Sequence, residues 1–185
     1  MKTGRLPAKS PYKILKSQVV YRGRAVELAV DNVQLPNGSV MNREIIHHPG
    51  SAVMIPLLDK NTILLIRQFR YSAARFIWEF PAGTASPGEA PLRCAKRELE
   101  EETGYKARSW KKLLTFYPTP GVSTEVMHLY LAWNLTKTQA HPEEDEILEL
   151  KSFGIAEIDR MIRAGQIIDG KTILGFHHFI RYNRR

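Results

Sequence analysis

The chain has 185 residues, 43% hydrophobic and 25% charged, an ordinary globular composition that fits one domain with a small extension. Its single cysteine, Cys94, excludes an internal disulfide and any metal site built on cysteine, and points to a reduced compartment. The 27 Lys and Arg against 19 Asp and Glu give +8, which suits an anionic partner without choosing among nucleotide, nucleic acid and acidic surface; several of those charges sit in the tails, where solvation accounts for them equally well.

Residues 1–13 are basic and lack an apolar stretch, so they do not read as a secretory signal, and a cytoplasmic location is expected. The longest apolar runs, near residues 52–58 and 63–66, fall far short of the roughly 20 residues needed to cross a bilayer, and no membrane span is expected. Residues 13–48 alternate and are rich in Val and Ile, with Pro36-Asn37-Gly38 as a turn between runs 26–35 and 39–48; a small antiparallel sheet is predicted. Core strands are predicted at 51–58 and 62–67, joined by Asp59-Lys60-Asn61, and at 76–80.

Residues 91–103 read as a helix. Pro91 suits the first helical position, Leu92, Ala95 and Leu99 form an i, i+3, i+7 apolar stripe, and Gly104 suits the residue after the helix end. Strands follow at 110–117, 126–134 and 147–153, and helices at 155–163 and 171–182.

On the helix ending at Gly104, Glu98, Glu101 and Glu102 fall at i, i+3, i+4, so roughly 100° of its surface carries three carboxylates, while Glu100 points away. Like charges at i, i+4 repel, and carboxylates in the last turns meet the negative end of the helix dipole. A hard divalent cation would compensate, because Mg²⁺ takes carboxylate oxygens, keeps waters and bridges to substrate phosphates. The bland alternative is a solvated acidic face offset by Arg93, Lys96 and Arg97.

The surroundings decide between the two. Gly83, five residues, Glu89, seven residues, then Arg97-Glu98-Leu99-Glu100-Glu101-Glu102-Thr103-Gly104 carry every fixed position of a pattern that resembles the Nudix box; Tyr105 stands where the pattern has an aliphatic residue. The resemblance implies an α/β fold, an α/β/α sandwich with a mixed sheet preceded by the small antiparallel sheet. It implies a β-rich segment at 1–50 for dimerisation and the base pocket, and a catalytic domain at 51–185. Carried over by position, Glu98, Glu101 and Glu102 would bind the metal with Glu89 auxiliary, the Ala82 carbonyl would add a ligand, and Arg97 would hold a box carboxylate by a salt bridge.

The wider match is similar to the ADP-ribose pyrophosphatase and nucleoside diphosphate sugar hydrolase branch. Arg67-Gln68-Phe69-Arg70-Tyr71 and Trp78-Glu79-Phe80-Pro81-Ala82-Gly83 match the strand leading into the site; Arg70 would contact a substrate phosphate and Glu79 would hold substrate beside the metals. Pro120 falls sixteen residues past Gly104, the spacing of the ADP-ribose subgroup, although an ordinary Pro-Gly turn would read the same in isolation. Glu125 closes that stretch as a further candidate substrate contact. In the acidic loop before residue 147, Glu146 best matches a water-activating glutamate of relatives, with Glu125 left open for the same role, and a solvated turn accounts for Glu143 and Glu144 equally well.

The resemblance further implies a homodimer whose N-terminal segments cover the nucleobase, with Arg43 stacking on the base. Ala25 stands where relatives often carry an aromatic, which points to a looser site accepting several nucleoside diphosphate sugars. Mg²⁺, with Mn²⁺ as a substitute, is the implied cofactor, and neither a membrane nor nucleic acid is an implied partner. Two other functions remain to be separated: a non-catalytic nucleotide-sugar sensor, and hydrolysis of nucleoside triphosphates or dinucleoside polyphosphates. The paired histidines His47-His48 and His177-His178 lack ligand spacing, and no serine-histidine arrangement offers a nucleophile.

Overall fold

Three short strands near the N-terminus pair edge to edge: β1 (Lys13–Arg22), β2 (Glu27–Gln34) and β3 (Val40–His47), antiparallel in that order. The computed structural model describes residues 10–24, 26–140 and 148–183, so Ala25, Glu143, Glu144 and Glu146 lie outside the described residues. The β2–β3 turn forms where Pro36-Asn37-Gly38 predicts it. Gly38 takes φ +85°, a left-handed conformation that suits glycine, and the Asn37 side chain accepts from Ser39 N at 3.1 Å.

A segment from elsewhere in the chain joins this sheet. Thr119–Val126 belongs to the same compact unit as the described residues up to Pro49. Ile46 N donates to Val122 O at 2.8 Å and Thr124 N to Ile46 O at 2.9 Å, so the stretch containing Pro120 and Glu125 lies along the end of β3. Periodicity within either segment could not foretell that pairing.

The second unit comprises Gly50–Pro118 and the described residues from Met127 onward. Its strands are β4 (Ser51–Pro56), β5 (Thr62–Arg70), β6 (Arg75–Glu79), β7 (Ala82–Thr84), β8 (Tyr105–Phe116), β9 (Met127–Lys137) and β10 (Leu148–Gly154). Its helices are α1 (Pro91–Thr103), α2 (Ile155–Arg163) and α3 (Gly170–Asn183). The strands form a mixed sheet β7-β4-β9-β8, in which only the β4–β9 pair is parallel, and an antiparallel sheet β10-β5-β6.

Alternation along β4 and β9 builds the layers. Ala52, Met54, Tyr130 and Ala132 pack with Cys94, Ala95 and Leu99 of α1. Val53, Ile55, Leu129 and Leu131 point the other way and pack with Ile158 and Met161 of α2 and Phe176 and Phe179 of α3. Every residue of β4 is buried, as a strand covered on both faces requires. This is the expected α/β/α sandwich, with the predicted small antiparallel sheet present at the N-terminus.

Three details differ from the sequence reading. The apolar stripe of α1 buries Cys94, Ala95 and Leu99, while Leu92, in the first turn, is 37% exposed. Strand β8 begins at Tyr105 rather than near residue 110; its early inward positions are Tyr105, Ala107 and Ser109, small or polar enough to weaken the hydrophobic signal. Finally, β7 lies outside the strands predicted from periodicity; Ala82, Gly83 and Thr84 pair with Val53, Ala52 and Ser51. Among the described residues no helix is long and apolar enough to cross a membrane.

Candidate active site

The box helix starts and stops where its sequence dictates. Pro91 opens the first turn, and Gly104 ends it at φ +67°, donating its amide to Glu100 O at 2.8 Å. Between these ends, Arg97 is the centre of the acidic face. Its Nε and Nη2 donate to Glu89 at 3.1 and 3.0 Å, and its Nη1 lies 2.7 Å from Glu98 Oε1 and 2.8 Å from Glu101 Oε2. Nη2 also reaches Thr84 O at 3.2 Å, tying α1 to β7. Glu100 turns aside to Lys106 at 2.9 Å, as its helical position requires.

One guanidinium thus answers three carboxylates, and each side feels the other. The Glu89 bond, opposed by burial and reinforced by Glu98 and Glu101, raises the Arg97 pKa further above its ordinary value. In turn Arg97, against the opposing effect of burial and with help from the Ser86 amide, holds the Glu89 carboxyl below its ordinary range. The cluster still carries more negative than positive charge.

Gly83 explains itself by what touches it. A Cβ there would stand 1.9 Å from the Glu98 carboxylate carbon, so the absent side chain is the space that Glu98 occupies. Its neighbour Ala82 donates N–H to Glu102 Oε2 at 3.0 Å. In the β4–β7 ladder the bonds run from Met54 N to Pro81 O and from Ala85 N to Gly50 O, so the alternation of an antiparallel pair leaves Val53 and Ala82 without mutual bonds. The Ala82 carbonyl therefore faces away from β4, on the same side as the amide that holds Glu102. Glu102 itself is 5% exposed.

Beside these groups lies a second ionic cluster. Arg70, at the end of β5, donates Nε and Nη2 to the two oxygens of Glu79, each at 2.8 Å. Glu79 is 1% exposed and also receives the Lys171 ammonium, which lies 3.1 Å from Asp169 Oδ1. Burial disfavours the Arg70 charge; Glu79, with Glu102 and Asp169 acting at longer range, outweighs that and raises its pKa. Sequence reasoning named Arg70 and Glu79 but not Lys171, Asp169 or Thr172. Asp169-Gly170-Lys171-Thr172 does carry a capping pattern, yet nothing local reveals that it meets Glu79, 92 residues earlier.

The remaining predicted residues fall elsewhere. Arg43, Pro120 and Glu125 belong to the first unit, where Arg43 is exposed on β3 and Glu125 lies 3.7 Å from His48 Nδ1. Glu146 lies outside the described residues. Cys94 is fully buried, and burial, reinforced by Glu98 and Glu89, pushes its thiol up to about 12, which excludes it as a thiolate near neutral pH.

The donors suit a hard cation in kind: carboxylate oxygens and an outward-facing carbonyl, with anionic excess. Among the described residues, no three Asp, Glu, His or Cys side chains are gathered as a ready metal cage. Glu89, Glu98 and Glu101 are instead gathered about Arg97, and Glu102 is held at Ala82.

Known proteins share this arrangement of chain and fold. A model of the NUDIX domain matches residues 48–173. The chain is 38% identical over 168 residues to the methanol dehydrogenase activator of Bacillus methanolicus, covering 90% of this chain and 91% of that one. It is 36% identical over 162 residues to the ADP-ribose pyrophosphatase of Bacillus subtilis (strain 168), covering 86% and 88%. The crystal structure of an ADP compounds hydrolase superposes with a TM-score of 0.84 over 97% of each chain at 18% identity, which shows a common fold. With the box intact on α1 and the family model spanning both the box and the strands that carry it, the chain belongs to the Nudix hydrolase family.

Proposed function

We propose that this Nudix hydrolase cleaves the diphosphate bond of nucleoside diphosphate sugars, with ADP-ribose its foremost substrate, to give a nucleoside monophosphate and a sugar phosphate. The observation that carries the reading is the excess of carboxylate around Arg97, set beside the Glu102–Ala82 contact and the Arg70 cation. Glu98, Glu101 and Glu102, with the Ala82 carbonyl and Glu89 as auxiliary, would hold Mg²⁺, or Mn²⁺ in its place. When bound, such an ion neutralises phosphate oxygens and lowers the pKa of a coordinated water.

The chain's own residues supply the rest. Arg97 gathers Glu98 and Glu101 of the helix and Glu89 of the preceding loop, which keeps the carboxylates together where a cation would be held. Arg70 offers a guanidinium to a substrate phosphate, and Glu79 fixes its direction through two parallel bonds. For Arg43, Pro120 and Glu125, for Glu146 as the group that takes the proton from water, and for a homodimer, the roles rest on the resemblance alone. The name of the B. subtilis relative supports ADP-ribose among the candidate substrates.

The test is a panel of ADP-ribose, GDP-mannose, UDP-sugars and nucleoside triphosphates, each incubated with Mg²⁺ or with a chelator, and the products identified by chromatography. Cation-dependent cleavage of ADP-ribose ahead of the triphosphates is expected. Absence of cation-dependent cleavage of every diphosphate sugar overturns the reading, and preference for triphosphates transfers it to the other class.

A further inference from the structure

The first turn of α3 reaches the site from near the chain's C-terminal end. Asp169 caps that turn, its Oδ2 accepting from Thr172 N at 2.9 Å. The hydroxyl of Thr172, fully buried, donates to the same carboxylate and accepts from Phe80 N at 2.8 Å. One residue earlier in the helix, Lys171 places its ammonium on Glu79, one residue earlier than Phe80. Two consecutive residues of a helix thus grip Glu79, the last residue of β6, and Phe80, which follows it, just before Ala82 turns its amide to Glu102.

Charge gives this grip a purpose. Glu79 is 1% exposed, and a carboxylate so far from water needs cationic partners. Were Arg70 its sole partner, the guanidinium would be drawn onto Glu79 and its charge largely spent there. Lys171 answers Glu79 as well. Asp169, which also faces Lys171, is engaged by the Thr172 amide and hydroxyl and by the positive end of α3. Arg70 Nε and Nη2 are fixed by Glu79, while among the described residues Nη1 makes no hydrogen bond. With Lys171 sharing the Glu79 charge, the arrangement leaves a directed guanidinium with one donor that no described residue takes.

We propose that Lys171 is a positioning residue that acts through Glu79 to hold Arg70 in direction and in charge for an anionic diphosphate. The inference rests on the diphosphate reading above. Lys171 is 10% exposed in its side chain and borders an open groove of about 390 Å³ shared with Tyr117, Met127 and Leu174, so the alternative is that it touches the ligand itself. Acting through Arg70 and acting directly make different predictions when the two residues are removed together.

The experiment measures calorimetric binding of inorganic pyrophosphate with Mg²⁺, alongside KM and kcat for ADP-ribose, in the full chain. Lys171→Met should weaken pyrophosphate binding and raise KM about tenfold, with a smaller change in kcat, and Lys171→Arg should restore both. Lys171→Gln, which keeps a donor to Glu79 without the charge, carries the test if Lys171→Met does not fold. In an Arg70→Gln background, Lys171→Met should weaken binding no further. Unchanged binding and KM in folded Lys171→Met or Lys171→Gln overturns the proposal, as does an additive loss in the double variant. If binding depends on Lys171 through Arg70 but the wild type cleaves no diphosphate sugar, the positioning role stands and the hydrolytic reading falls. If the wild type cleaves ADP-ribose and Lys171 proves immaterial, the reverse holds.

Discussion

Two ionic clusters of the second unit are built on opposite plans. Around Arg97, three carboxylates share one guanidinium, and all four residues come from the stretch between Glu89 and Glu101. Around Glu79, two cations and two carboxylates balance, and Lys171 lies 92 residues from its partner. The first carries an excess of negative charge, and the second is neutral as a whole. The comparison separates an anionic cluster from a balanced one that fixes the Arg70 side chain in direction.

The largest effect that can break this comparison comes from the acidic side. Glu102→Gln keeps the shape and an acceptor for Ala82 N but removes the charge. Turnover should fall by more than the ~10–100-fold that disturbing an indirect partner of a metal costs, while circular dichroism and melting temperature stay near those of the wild type. Retained turnover in a folded variant removes Glu102 from the ligand set.

Next in size is Gly83→Ala. The added Cβ meets the far end of a flexible side chain rather than backbone, so the Glu98 carboxylate moves and the fold does not have to. Activity should drop about 100-fold, the scale on which a misplacement near 1 Å acts, with little loss of stability. If kcat/KM is unchanged, the contact between Glu98 and Gly83 has no bearing on catalysis.

These two variants probe what the sequence made legible. The box lies within 22 residues, a strand, a loop and a helix, so spacing alone places Glu98, Glu101 and Glu102 on one face and Gly104 at the helix end. Most strands were legible from alternation and apolar runs for the same local reason, while the layered sandwich was implied by the resemblance to the Nudix family. Lys171 and Thr172 were not legible, because their partners are Glu79, the last residue of β6, and Phe80, which follows it, and Thr119–Val126 was not, because its partner is β3. Short β7 escaped as well: its three residues carry no periodic signal, and pairing with β4 makes them a strand.

Thr172→Val tests the nonlocal side with a smaller effect. Valine fills nearly the same space but leaves the Phe80 amide, in a fully buried residue, without its acceptor. A stability loss of about 1–3 kcal/mol in urea unfolding is expected, with Thr172→Ser recovering most of it. Equal stability of the valine variant would show that the hydroxyl does not hold the end of β6.

The smallest effect is a pH dependence that belongs to the local cluster. Glu89 accepts from Arg97 through both oxygens and from Ser86 N at 2.9 Å, and these bonds hold its carboxyl below the ordinary 4.5 against the opposing effect of burial. A folded-state value that lies below the unfolded one favours the folded state above the unfolded pKa, and that contribution is lost as pH falls through the folded value. Arg97 stays charged throughout, and comparison with Glu89→Gln isolates the Glu89 carboxyl from the other carboxylates, which both proteins share. The urea midpoints of the wild type and Glu89→Gln should therefore differ by a constant amount near neutral pH and draw together as pH falls below 4.5. A difference that persists at acid pH would assign the effect of the substitution to packing, leaving Arg97 to serve Glu98 and Glu101 alone.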